Sequence, residues 1–120
     1  MRIGYVVLYV TDPELCLKFW IDSVGMVERH RIKAGEFDVV EIGFPDQDFS
    51  FQLVPLALMK SNPDKLDLAT PSIAFRVPNL DDAHVRLAGN GVQVSEISTQ
   101  RGPRSFAFSD PEGRWFAVLS

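Results

Sequence analysis

The sequence predicts an α+β fold in which two βαβββ repeats form curved mixed sheets around a cavity. Three observations predict it. Short β-branched and aromatic runs are separated by turn residues, which is typical of strands. Each half also contains one well-capped helix, and the halves align at an offset of 67 residues, so that Asp12 lies over Asn79. The repetition is one of structure, because few residues are identical between the halves.

Length and composition agree with this fold. The 120 residues suit a single domain, with repeat one at about 1–55, a linker at about 56–69 and repeat two at about 70–120. The formal net charge of −4 disfavours nucleic acid as a partner. No apolar run approaches the length of a membrane helix, so no membrane association is predicted. One cysteine excludes an internal disulfide, and no signal segment is recognisable, so we expect a cytoplasmic protein.

The first half reads as a strand, a helix and three further strands. Asp12 caps the helix, Pro13 suits its first position, and Gly25 supplies a C-terminal stop. Nearly every residue from Leu15 to Ile21 is apolar, so this helix should be covered on more than one side, and a partner subunit is one way to cover it. The predicted elements are a strand at 3–10, a helix to about Ser23, and strands at about 26–33, 36–44 and 49–55.

The second half repeats the pattern. Asn79 caps its helix, two acidic residues occupy the first turn, and Gly89-Asn90-Gly91 ends it. This glycine-rich turn follows a helix, whereas a phosphate-binding loop precedes one. The apolar helical face is predicted to comprise Leu80, Ala83, Leu87 and Ala88. The predicted strands lie at 72–77 and at about 92–98, 104–109 and 114–119.

Four segments together carry a family resemblance. They are the strand that ends in Thr11-Asp12-Pro13, the helix end Phe19-Trp20-Ile21-Asp22-Ser23-Val24-Gly25-Met26, the strand Ser72-Ile73-Ala74-Phe75-Arg76-Val77, and the turn Phe106-Ala107-Phe108-Ser109-Asp110-Pro111-Glu112-Gly113. In these the chain resembles the vicinal oxygen chelate superfamily, which includes glyoxalase I, extradiol dioxygenases and bleomycin-resistance proteins. The resemblance implies a fold of the glyoxalase/bleomycin-resistance type. It also implies a homodimer, because bleomycin-resistance proteins of this length pair with a second copy.

Metal-dependent members of this superfamily bind a divalent cation through His, Gln or Glu at four strand positions. The resemblance transfers these positions to Tyr5, Gln52, Ser72 and Ala117. Divalent metals require several imidazole, carboxylate or thiolate donors, and this set offers one amide, two hydroxyls and a methyl group. We therefore expect no metal and no other cofactor.

Strand alternation selects candidate ligand contacts. Tyr5, Val7 and Tyr9 share one strand face, and the aliphatic set on the other face suits packing under the helix. The resemblance directs Gln52 and Ala117 toward the cavity, and alternation then places Trp115 on the same strand face as Ala117. The predicted ligand-binding residues are Tyr5, Tyr9, Gln52, Ser72, Arg76 and Trp115.

No residue is predicted to be catalytic in the leading interpretation. His30 and His84 read as surface or boundary residues, and Cys16 as a small packing residue. The leading interpretation is a metal-independent protein that sequesters an aromatic or cationic small molecule in a dimeric groove, and whether it is also an enzyme stays open. One alternative is a superfamily lyase, isomerase or dioxygenase with an atypical metal site, in which Tyr5 acts as a general acid and Gln52 as a hydrogen-bond donor. The other is a regulatory or scaffolding domain that fills its own pocket.

Overall fold

Each half of the chain forms its own sheet. The computed structural model describes residues 1–100 and 102–120, and the chain divides into two units, Met1–Thr70 and Pro71–Ser120. The first unit contains a four-stranded sheet in the order β1-β4-β3-β2, in which β1 pairs with β4 in parallel and the other pairs are antiparallel. The strands are β1 (Val6–Val10), β2 (Val27–Ala34), β3 (Phe37–Gly43) and β4 (Ser50–Pro55).

Helix α1 (Pro13–Lys18) begins where the sequence predicts. The Leu15 amide donates to Asp12 Oδ1 at 3.1 Å, and Gly25 ends the segment at φ 102°, a conformation that favours glycine. The predicted α-helix to Ser23 was wrong in one respect, because a π-helical segment occupies Phe19–Val24. At the end of this segment, the amides of Gly25 and Met26 both donate to the Trp20 carbonyl, at 3.1 and 3.0 Å.

The core of the first unit lies on the helix side of its sheet. Leu8 and Val10 of β1 are buried there, as are Phe51 and Leu53 of β4. The Trp20 ring meets Phe51 edge-on, with the ring centroids 5.4 Å apart. These side chains alternate with less buried neighbours along each strand, so the sheet has one packed face and one open face. We use "open face" below for the face turned away from the helix in each unit.

A β-bulge in β2 changes which side chains share a face. Glu28 pairs with Ile42 and His30 pairs with Glu41, so Arg29 is an extra residue between them. Its guanidinium donates to the carbonyls of the β3–β4 loop, those of Phe44, Gln47, Asp48 and Phe49. The bulge therefore ties this loop to β2 and places His30 on the same face as Glu41.

The segment between the repeats has little regular structure. A 3₁₀ turn at Leu56–Met59 follows β4 directly. Farther on, the Asn62 side chain exchanges two hydrogen bonds with the backbone of Leu66. The division of the chain into a first repeat, a linker and a second repeat within a single domain stays a prediction.

The second unit contains a three-stranded sheet in the order β5-β7-β6, again with one parallel and one antiparallel pair. The Asp82 amide donates to Asn79 Oδ1 at 3.0 Å and starts helix α2 (Leu80–Gly89). Leu80, Ala83 and Leu87 are buried as predicted, whereas Ala88 is exposed, so its assignment to the packed face was wrong. The strands are β5 (Ala74–Arg76), β6 (Ser105–Ser109) and β7 (Trp115–Leu119).

The Asp110-Pro111-Glu112-Gly113 turn before β7 is held by one buried carboxylate. Asp110 accepts from the amides of Glu112 and Arg114 and forms an ion pair with the Arg114 guanidinium at 2.9 Å. Because every bond closes within five residues, the motif that carried the family resemblance is a locally determined structure.

The predicted strand at 92–98 was wrong. Only two bridges form there, Val94 with Phe108 and Ser98 with Ser105. Four residue steps separate Val94 from Ser98, but only three separate Ser105 from Phe108, so regular pairing cannot continue. The Ser95 hydroxyl accepts from the Ala107 amide at 2.9 Å in place of a backbone carbonyl.

Two further strand boundaries differ from the prediction. The first strand begins at Val6 rather than at residue 3, and the strand predicted at 72–77 is limited to β5. The mixed α+β architecture with two sheets of mixed strands is confirmed. Among the helices of the described residues, none is long and apolar enough to cross a membrane.

Candidate functional site

The first open face carries three of the six predicted ligand contacts. Tyr9 is half-buried on β1, and Tyr5 lies just before that strand with 45% of its surface exposed. Gln52 is half-buried on the adjacent β4, between the buried Phe51 and Leu53. The sheet thus brings Tyr9 and Gln52 onto neighbouring strands of one face, in the orientation that strand alternation predicts.

A row of polar side chains crosses this face. The register pairs Gln52 with Glu41 and Glu41 with His30, and paired residues of adjacent strands project to the same side. Adjacent strands lie about 4.7–4.9 Å apart, so the three side chains are close neighbours. We call His30, Glu41 and Gln52 the polar row. The sequence did not single out Glu41. The side chains on both faces of β3 are largely apolar, so the sequence does not show which face of this strand is the open one.

The second open face carries the other three predicted contacts. Ala117 on the central strand pairs with Ala74 on one side and with Ala107 on the other. These three residues, which we call the alanine row, form a methyl-lined strip roughly 10 Å wide across three strands. Trp115 lies two residues before Ala117 on the same strand face and is 49% exposed. The strip is therefore flat and apolar, and it has an indole at one end.

Polar groups border the alanine row. The Ala117 amide donates to the Ile73 carbonyl at 3.2 Å, so the parallel register continues beyond β5 and places Ser72 beside Trp115. At the other end, Arg76 pairs with Leu119 and donates from Nη1 to the Ser120 carbonyl at 2.9 Å. Ser72, Arg76 and Trp115 thus lie on one face of the second unit, and both Ser72 and Arg76 are exposed.

The four positions to which a family metal would be transferred do not suit one. Tyr5 and Gln52 lie in the first unit, and Ser72 and Ala117 in the second. Ala117 has no donor atom, and the other three offer neutral oxygens. Within residues 1–100 and 102–120, no group of three or more His, Cys, Asp or Glu side chains could hold a metal ion. The donor chemistry present does not fit the divalent cation of metal-dependent relatives.

A separate groove lies beside the start of α1 in the first unit. Its volume is about 260 Å³, and Val40, Leu53 and Pro55 supply apolar walls. The carboxylates at its edge are those of Asp12, Glu14, Glu36 and Asp38. Two of these are already engaged, because Asp12 caps α1 and Asp38 forms ion pairs with Arg31 and Lys33. Hydrogen bonds from Lys33 and Arg31 hold the pKa of the Asp38 carboxyl below its usual range.

Two other residues that the sequence singles out, His84 and Cys16, pack against neighbouring parts of the fold. His84 Nε2 lies 2.8 Å from the Ser95 carbonyl, and its ring packs edge-on against Phe106 with the centroids 4.9 Å apart. It therefore links α2 to the irregular segment that precedes β6. Cys16 is fully buried in α1, in keeping with a packing role.

Comparisons with known proteins place these faces in context. The family model described as Glyoxalase/Bleomycin resistance protein/Dioxygenase superfamily matches residues 2–118. No curated protein matches the sequence. Among solved structures, TnmS3, an antibiotic binding protein from Streptomyces sp. CB03234, is similar with a TM-score of 0.80 and 20% identity, over 99% of this chain and 94% of that chain.

Two other structures show the breadth of the similarity. A glyoxalase/bleomycin resistance protein/dioxygenase superfamily member from Sphaerobacter thermophilus DSM 20745 has a TM-score of 0.79 and 20% identity, over 99% of this chain and 96% of that chain. The E144Q mutant of glyoxalase I from Zea mays has a TM-score of 0.76 and 17% identity, over 98% of this chain and 44% of that chain. At these identities the likeness establishes a shared fold.

Proposed function

The chain belongs to the Glyoxalase/Bleomycin resistance protein/Dioxygenase superfamily, and on that premise we propose that it sequesters an aromatic or cationic small molecule without converting it. TnmS3, one of the similar structures, is an antibiotic binding protein, which supports a binding role. The proposal concerns the open faces, where the family resemblance and strand alternation place the ligand contacts.

The observation that carries this proposal is the exposed indole beside the alanine row. Trp115 is half exposed although it is the largest type of apolar side chain, and a large exposed apolar group beside a flat apolar strip is typical of a binding surface. Alanine methyl groups leave the strip free of projecting side chains. A planar aromatic ring can therefore lie on the strip and stack against the indole, while Ser72 and Arg76 supply polar contacts at the edges.

The first open face supplies a second set of contacts. Tyr5 and Tyr9 offer phenol rings and hydroxyls, and Gln52 offers an amide that can both donate and accept. Few polar groups on a largely apolar surface are typical of small-molecule sites. In this proposal the tyrosines provide contact area, and Gln52 provides orientation.

Ligand binding is proposed to need no metal. The support is the chemistry of the four transferred positions, where one side chain is a methyl group and the others are neutral oxygen donors. An enzyme that binds its metal at these four positions would need a different donor set. The described residues also contain no group of three or more His, Cys, Asp or Glu side chains that could hold a metal elsewhere.

The proposal predicts that a neutral, fluorescent planar compound binds through Trp115. In a titration with N-acetyl-9-(aminomethyl)anthracene, Trp115→Ala should weaken binding about tenfold through lost stacking. Binding should be unchanged by a metal chelator. Val85→Ala is the matched control, because Val85 is an exposed apolar residue on α2.

The outcomes separate the possibilities. Equal affinities for the wild type, Trp115→Ala and Val85→Ala would contradict the assignment of Trp115. Loss of binding in chelator would contradict metal independence. No binding to the wild type at any soluble concentration would count against the sequestering function and in favour of a domain that fills its own pocket.

A further inference from the structure

The polar row contains a carboxylate without a counter-ion. Glu41 is half-buried on the central strand β3, and within residues 1–100 and 102–120 its side chain has neither a hydrogen bond nor an ion pair. Its row neighbours Gln52 and His30 likewise have no side-chain hydrogen bond to the rest of the described chain. A partly desolvated carboxylate without a partner is unfavourable, since burial weakens its hydration and nothing replaces it.

The permanent cations of the β2–β3 hairpin are all directed elsewhere. Arg31 and Lys33 pair with Val40 and Asp38, which alternate with Glu41 and belong to the opposite face. Both cations form ion pairs with Asp38 there. Arg29 is bound to the carbonyls of the β3–β4 loop.

Among the residues that the structure describes, the immediate neighbours of Glu41 on the open face therefore include no fixed positive charge. The residues that share the face beside it are Val39, Ile32 and Val7, together with His30 and Gln52. The whole chain carries a formal charge of −4, so the surrounding field also favours a cation.

We propose that Glu41 is the anchor for a protonated amine on the ligand, with Gln52 and His30 as flanking hydrogen-bond partners. The proposal rests on the sequestering function argued above and narrows its ligand class to planar molecules that bear an ammonium group. Three adjacent strands present these side chains as a preformed set, so ligand binding needs no rearrangement of the backbone. An ammonium group has three donors, which matches the carboxylate and the amide oxygen of Gln52.

The test compares two probes that share the anthracene ring, one with an ammonium group and one with an uncharged acetamide in its place. The cationic probe is 9-(aminomethyl)anthracene, and the neutral probe is its N-acetyl derivative. The wild type should bind the cationic probe about tenfold more tightly, which is the usual gain from a charge-assisted hydrogen bond. Glu41→Gln keeps the shape of the side chain and removes its charge. It should abolish this preference by weakening only the cationic probe.

A matched control addresses the groove beside α1. Glu36→Gln removes the same charge from an exposed residue at that groove and should leave the preference intact. A preference that survives Glu41→Gln, that disappears in Glu36→Gln, or that the wild type never shows would overturn the assignment of Glu41. In each of those cases the neutral probe would still bind. Failure of both probes to bind the wild type would instead overturn the sequestering function, and the assignment of Glu41 with it.

Discussion

At the residue scale, Arg29 links β2 to the β3–β4 loop by donating to backbone carbonyls. Its guanidinium lies over Gly43, where an added Cβ would be 2.8 Å from Arg29 Cζ and 2.8 Å from the Phe49 carbonyl oxygen. Real Cβ contacts are essentially never so short, so only glycine leaves room for the arginine at this position. The conformation of the β3–β4 loop therefore depends both on the long side chain of Arg29 and on the absence of a side chain at Gly43.

We expect Gly43→Ala to lower the free energy of unfolding by about 1–3 kcal/mol, because the added methyl group meets a backbone carbonyl that cannot move freely. Gly89→Ala is the control, since a Cβ there has nothing within 4 Å and Gly89 ends α2. That change should be neutral or stabilise by about 0.5 kcal/mol. Urea unfolding of both variants makes the measurement, and equal effects would contradict the proposed clash.

Individual residues differ in how far the sequence reveals their roles. The helix caps Asp12 and Asn79 were predicted correctly because each bonds to an amide only three residues away. Trp115 shares a strand face with Ala117, and alternation along that single strand is enough to predict this. Glu41 was missed because its neighbours lie on other strands, and its pairing with His30 follows a register shift at Arg29 that the sequence pattern does not reveal.

At the element scale, the β2–β3 hairpin is joined by ion pairs on its helix side. Arg31 contacts Glu28 at 2.6 Å and Asp38 at 2.7 Å, and Lys33 contacts Asp38 at 3.0 Å. These contacts cross the strand pair and also span the bulge. The hydrogen bond from Arg31 lowers the pKa of Glu28, and those from Lys33 and Arg31 lower the pKa of Asp38.

These lowered pKa values predict a direction of pH dependence. A carboxyl group whose pKa is lower in the folded state stabilises the fold above its unfolded pKa, and the stabilisation is lost as the pH falls through the folded value. An NMR titration should find the Asp38 pKa below the usual aspartate value, and Arg31→Gln should raise it toward that value. The pKa of Asp81, which a separate hydrogen bond from Arg104 lowers, should be unaffected by the same substitution. An unchanged Asp38 pKa in Arg31→Gln would contradict the contact.

The failed strand at 92–98 marks the limit of element prediction. Its composition is suitable for a strand, and its residues do lie beside β6. The extra residue between its two bridges and the Ser95 hydroxyl that replaces a carbonyl are consequences of pairing with β6. A periodic pattern in one segment contains no information about the residue count of its partner.

At the scale of the whole molecule, the apolar first helix bears on assembly. Cys16, Leu17 and Trp20 are buried within the chain, whereas Leu15 is 49% exposed. The homodimer implied by the family resemblance remains our proposal, with this surface of α1 as part of the interface. Symmetric pairing would place Leu15 against the same region of a second copy.

We predict that the wild type sediments at twice the mass of one chain. Leu15→Glu should shift the equilibrium toward the single chain, because a charge would be buried at the interface. Val85→Glu is the control, since Val85 is 70% exposed on α2 and outside the proposed interface. Analytical ultracentrifugation over a range of concentrations makes the measurement. A wild type that sediments as one chain throughout would contradict the dimer.

The bulge at Arg29 also bears on aggregation. Strand β2 forms one edge of its sheet, and an edge of eight residues offers unpaired backbone groups to which another chain could add. The bulge interrupts the regular alternation of side chains along β2, and the strand carries charges at Glu28, Arg31 and Lys33. A regular incoming strand therefore cannot pair with β2 over its full length. The same irregularity that positions His30 beside Glu41 thus protects the sheet from strand-by-strand growth into fibrils.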